Sequence, residues 1–126
     1  MPDGSYTADP RKLTAGIPDY VVFNGYANQY KAKPLQAKAG SRIRLFLVNA
    51  GPTEFAVFHV IGAIFSDTYA DGNPGNHMVV NQTITIPPDG GVVVEFTIPE
   101  PGLYPFVTHS FADVDKGALG VIKVNS

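Results

Sequence analysis

Residues 91–98 read Gly91-Val92-Val93-Val94-Glu95-Phe96-Thr97-Ile98. Val92, Val94, Phe96 and Ile98 fall on alternate positions, with Glu95 and Thr97 on the opposite face, which is the period of a β-strand. Turn-forming stretches bound it on both sides: Pro87-Pro88-Asp89-Gly90-Gly91 before and Pro99-Glu100-Pro101-Gly102 after. The same alternation recurs in 42–49, where Ile43, Leu45 and Leu47 share a face and Arg44 and Phe46 take the other. Further short apolar runs lie at 20–23, 34–37, 54–61, 78–86, 102–108 and 118–124, separated by Asn24-Gly25, Ala39-Gly40 and Gly51-Pro52.

The 13 glycines and 11 prolines are spread along the 126 residues rather than clustered, and they cut the chain into strand-length pieces. No segment carries a helical period, apart from a single turn over 111–117 ending at Gly117. The pattern predicts an all-β chain: a Greek-key β-sandwich of seven or eight strands. Residues 1–17, poor in apolar side chains, read as an arm or linker, and 18–126 as one domain. The aromatic residues Tyr20, Phe23, Tyr26, Phe46, Phe55, Phe58, Phe65, Phe96, Tyr104 and Phe106 are assigned to the sandwich core.

Composition excludes several functions. Net charge is −2 with no Lys/Arg run, which gives no footprint for nucleic acid. No apolar stretch is long enough to span a membrane, and Met1-Pro2-Asp3-Gly4 opens without the basic and apolar regions of a secretion signal. The cysteine count is zero, so disulfides, thiolate nucleophiles and thiolate-ligated metals are excluded together. Imidazole chemistry must use His59, His77 or His109. His59 is the only polar side chain in Phe55-Ala56-Val57-Phe58-His59-Val60-Ile61-Gly62. It is either a hydrogen-bonded core group or a site residue in an apolar-walled pocket. His109 ends a strand, where it can meet a ligand or a partner. His77 reads as a solvated loop residue, Asp113 and Asp115 as loop solubilisers, and Glu54 and Glu95 as edge or interface charges. Ser110 follows His109 directly, so on a strand the two point to opposite faces and do not form a nucleophile–base pair.

The stretches Pro18-Asp19-Tyr20-Val21-Val22-Phe23-Asn24-Gly25, Arg42–Pro52, Phe58-His59-Val60-Ile61-Gly62, Tyr104-Pro105-Phe106-Val107-Thr108-His109 and Lys116-Gly117-Ala118-Leu119-Gly120 resemble, in order and spacing, the C-terminal cupredoxin domain of copper-containing nitrite reductases, relatives of the multicopper oxidases. The resemblance runs from Pro18 to Val124. It implies a cupredoxin-like sandwich and a place at a type 2 copper shared between subunits. His109 then matches a copper ligand, His59 a histidine beside bound nitrite, and Ile61 a residue shaping the nitrite pocket. The implied chemistry is reduction of nitrite to nitric oxide by one electron and two protons. The implied partners are a homo-oligomer, a trimer in this family, or a separate cupredoxin domain. The implied compartment is periplasmic or extracytoplasmic.

Two departures limit the resemblance. Ser110 stands where a first domain carries its cysteine, so type 1 copper is excluded. Val57 stands where the family's first domain has its catalytic Asp. The chain thus resembles half an enzyme, joined to the other half in the family through the region of the arm. In a homo-oligomer, His59 and His109 from neighbouring copies could together form a site of three or four nitrogens. The alternative is a metal-free structural or oligomerisation module with both histidines buried and hydrogen-bonded.

Overall fold

The computed structural model describes residues 3–5 and 7–126; the remainder of the sequence-assigned arm lies outside the described residues. Among the described residues nine strands form two sheets. They are β1 (Leu35–Lys38), β2 (Arg42–Val48), β3 (Ala56–Val60), β4 (Phe65–Ala70), β5 (His77–Asn81), β6 (Thr83–Ile86), β7 (Gly91–Thr97), β8 (Gly102–Thr108) and β9 (Leu119–Asn125). One sheet has the order β1-β9-β8-β3-β6 and the other β2-β7-β4-β5. β1 runs parallel to β9, and every other pairing is antiparallel. This is the expected all-β sandwich.

The alternation read from the sequence places the core. Val92, Val94 and Phe96 are buried on β7, and Ile98 just beyond its end is buried with them. They face Phe58, Val60, Phe106, Ile122 and Val124 of the other sheet within one cluster. Gly120 pairs with Phe106 across β8 and β9, and the Phe106 ring lies over the glycine where a side chain would stand. A methyl group added there would overlap the ring, so the core must shift to admit it. Gly120→Ala is therefore expected to destabilise the fold by about 2–3 kcal/mol, measured by urea unfolding. A change below about 0.5 kcal/mol would mean that the ring moves aside freely.

Several expectations are corrected. The run 20–23 is not a strand: Val21 N–H donates to the Lys116 carbonyl and Asn28 N–H to the Gly117 carbonyl, so this segment docks on the loop before β9 instead of joining a ladder. The run 78–86 is two strands in different sheets, with Gln82 between them. β4 lies outside the expected runs: its two buried positions, Phe65 and Thr68, do not alternate, and Thr68 is a fully buried hydroxyl residue that accepts from Asn81 Nδ2 at 3.1 Å. Two short helices also occur, α1 (Pro10–Ala15) and α2 (Gln29–Ala32). The first lies in the stretch read as a plain arm. Asp9 caps it by accepting from Arg11 N–H, Pro10 opens it, and Gly16 closes it at φ 65°. The turn expected at 111–117 is a 3₁₀ turn over Phe111–Asp113 followed by turns to Gly117.

The aromatic assignment holds for Phe58, Phe65, Phe96 and Phe106, which are buried, and for Phe23 and Tyr104, which are partly buried against them. It fails for Tyr20, Tyr26, Phe46 and Phe55, all more than half exposed. Phe46 follows from the pleat itself, since Leu45 and Leu47 take the inward positions on β2. Asp113 is buried and receives Lys116 Nζ at 3.1 Å, so it anchors its turn rather than solvating it. Glu95 is neither at an edge nor exposed. It sits on central strand β7, fully buried, with ion pairs from Arg42 and Arg44 on the neighbouring β2.

Candidate metal centre

β3 and β8 are neighbours in the five-stranded sheet, with His59 opposite Val107 and Phe58 opposite Thr108. Phe58 turns into the core, so by the strand period His59 faces outward. The ladder continues one residue past β8, where His109 N–H donates to the Val57 carbonyl at 2.6 Å. Val57, His59, Val107 and His109 therefore share the outer face. The two imidazoles meet there as diagonal neighbours, with ring centroids 5.2 Å apart. The sequence could name both residues but not their convergence, because that depends on the pairing of strands far apart in the chain.

The tautomer of His59 is fixed by its partner. Its Nδ1 lies 2.6 Å from the Gln82 carbonyl oxygen, which can only accept, so Nδ1 carries a proton. In the neutral ring the lone pair is then on Nε2, as in histidines that bind metals through that atom. Gln82 is the connection between β5 and β6. No sequence signal marks it, because its contribution is a backbone oxygen. His59 itself is half-buried and hydrogen-bonded, yet it faces outward and is not part of the core. His109 is exposed, and Phe111 stacks against it with ring centroids 6.0 Å apart. Ile61, just past the end of β3, is 45% exposed, and Leu103 on β8 is 67% exposed. Phe111 thus gives His109 an apolar neighbour on the outer face.

Among the described residues no group of three or more His, Cys, Asp or Glu comes together. The pair therefore fits a metal ion as two nitrogen donors of a larger set. Four-coordinate Zn(II) or tetragonal Cu(II) would need its remaining ligands from outside the chain. One cavity of about 910 Å³ lies between α1, residues 18–25 and residues 48–56, and none of His59, Ile61 or His109 lines it.

His77 is not a solvated loop residue. It begins β5, stacks on Tyr69 with centroids 4.8 Å apart, and its Nε2 lies 2.8 Å from Asp67 Oδ1. It belongs to the four-stranded sheet and has no part in the His59–His109 pair. Its hydrogen bond to Asp67, with help from Ser66, holds the Asp67 carboxyl below the usual range. Ser110 is also separate: its hydroxyl donates to the Phe55 carbonyl at 3.2 Å and not to an imidazole.

A family model described as multicopper oxidase matches residues 5–126. The copper-containing nitrite reductase of Neisseria gonorrhoeae is 42% identical over 118 residues, covering 92% of this chain and 30% of that protein. A copper-containing nitrite reductase from Thermus scotoductus superposes with a TM-score of 0.91 at 36% identity, over 94% of this chain and 28% of that one. The Nitrosomonas europaea copper nitrite reductase gives a TM-score of 0.88 at 31% identity, over 94% of this chain and 44% of that one. The fold is thus cupredoxin-like, and the chain spans under a third of the length of the curated relative it matches at 42% identity. With a family match over nearly all its residues, the chain belongs to the multicopper oxidase family.

Proposed function

We propose that the chain supplies half of a type 2 copper site, completed by residues of a neighbouring cupredoxin domain. The observation that carries this reading is the pairing of His59 and His109 on an outward, apolar face, with Nε2 of His59 left free. Copper held there would act as a Lewis acid and pass one electron. His109 is the ligand, and its place at the end of the ladder sets the ring at the surface where a partner's ligands can approach. Where a separate domain completes the site, His59 stands beside it as proton carrier; where copies of this chain complete it, His59 is a second ligand. Because Nδ1 is held by the Gln82 carbonyl, Nε2 is the atom that takes up and releases the proton. Ile61 walls the site and limits what fits beside His59.

The reaction in the complete assembly is nitrite plus one electron and two protons giving nitric oxide and water. This chain has no thiolate to build an electron-transfer copper, and Val57 offers no acid beside the histidines. Electrons and a further proton donor therefore come from the neighbouring domain, and turnover by the chain alone is absent or slow. The cover is a second copy in a cyclic homo-oligomer, a trimer, or a separate first domain connected through residues 1–17 to a sandwich that begins at Pro18. An apolar surface bearing Ile61, Leu103 and Phe111 gains from such burial. A metal-free assembly module is the second reading, favoured by the absence of a third ligand among the described residues.

Spectroscopy separates the two. Copper-loaded protein is expected to show a weak visible band and the paramagnetic signature of nitrogen-ligated Cu(II), because no sulfur is present to give an intense charge-transfer band. An intense blue absorption would contradict the ligand set, and a spectrum identical to copper in buffer would favour the metal-free module.

A further inference from the structure

β1 and β2 are edge strands of the two sheets, joined by the short connection Ala39-Gly40-Ser41. Leu35, Leu45 and Leu47 pack against the core yet stay only partly buried, while Val94, Phe96 and Ile122 on inner strands are fully buried. Beside them lies a cleft of about 320 Å³, open at β2 where the exposed Phe46 and Val48 form its rim and reaching inward to Phe58, Ile86 and Phe106. Aromatic rings form part of its walls. Phe23 and Phe106 have centroids 5.0 Å apart, Tyr30 and Phe106 6.0 Å, and Phe23 and Phe58 6.3 Å. No Asp, Glu, Lys, Arg or His lines it.

Few polar groups reach it. Tyr30 Oη accepts from Asn24 Nδ2 at 2.6 Å, and Thr108 Oγ1 accepts from Val57 N–H at 3.0 Å. A charged occupant would lose its hydration there without a countercharge. An apolar molecule loses nothing of that kind, and engineered apolar cavities of about 150 Å³ bind benzene. Ring edges and faces at these spacings also accept another ring in offset or T-shaped contact. We propose that this cavity is a binding site for a small uncharged aromatic molecule, of benzene to indole size. Phe58 and Thr108 border it on the inner side of the sheet, while His59 and His109 stand on the outer side. The site therefore does not depend on the metal reading.

The test is a titration of the chain with benzene and with indole, followed by methyl NMR. Saturable shifts are expected at Leu45, Leu47 and Ala56, with half-saturation below about 1 mM, and none at the rings of His59 and His109. Ala56→Leu fills the cavity from one sheet and Leu47→Phe from the other. Whichever variant remains folded, by its amide spectrum, is expected to bind at least about tenfold more weakly. Shifts that do not saturate, shifts confined to the histidine face, or unchanged affinity in a folded variant would overturn the proposal.

Discussion

His109→Ala is expected to lower the affinity of the chain for Cu(II) by about 100-fold or more, measured by calorimetric titration. Loss of a group that merely orients a ligand already costs 10–100-fold in metal sites, and His109 is assigned as a ligand itself. His59→Ala separates two versions of the site. If a different domain completes it, His59 is a proton carrier, so copper stays bound and nitrite turnover in the assembly falls. If copies of this chain complete it, His59 also binds the metal, and affinity falls too. His77→Ala is expected to change neither, because His77 lies on the other sheet, bonded to Asp67. Full copper in His109→Ala together with lost copper in His77→Ala would place the site on the wrong sheet.

Glu95→Ala is expected to lower the melting temperature by roughly 10 °C, because it leaves the Arg42 and Arg44 charges without the carboxylate that both bind. The Glu95 side chain is 2% exposed, while the two arginines are 60% and 58% exposed. Water can thus reach the guanidinium groups but not the carboxylate, and the loss is smaller than for a wholly buried pair. A fall below about 2 °C would show that the arginines are fully satisfied by solvent. The same network sets an acid limit. The hydrogen bond from Arg42, assisted by Arg44, holds the Glu95 carboxyl below its ordinary value against the opposing effect of burial. The folded state therefore binds fewer protons here than the unfolded chain. This stability is fully present above the unfolded carboxyl value, about 4.3, and is lost as pH falls through the lower folded value. Asp67 contributes with the same sign.

The sandwich was legible because its strands alternate over turn residues, as β2 and β7 show most clearly. Where a core position is filled by Thr68, or where an apolar run continues across a change of sheet at Gln82, the period carries no warning. The cap of α1, Asp9 followed by Pro10 and closed by Gly16, was present in the sequence and weighs more than the short length of the helix suggests. Glu95 was misplaced because alternation tells which face a residue occupies, not whether neighbouring strands roof that face with arginines. For the site, both histidines and Ile61 were nameable from local sequence. Their convergence comes from the β3–β8 register, and the tautomer of His59 from a carbonyl 23 residues away.

The central claim is that the histidine face is a copper half-site completed from outside the chain. Sedimentation of copper-loaded protein at tens of micromolar, an order-of-magnitude choice above the dissociation of weak interfaces, with absorbance and copper content read on the same boundary, tests it most directly. Copper is expected to move with an oligomer, a trimer by the family resemblance, and to be lost when dilution dissociates it. A clean monomer that keeps one copper per chain, or an oligomer that takes up none, would contradict it.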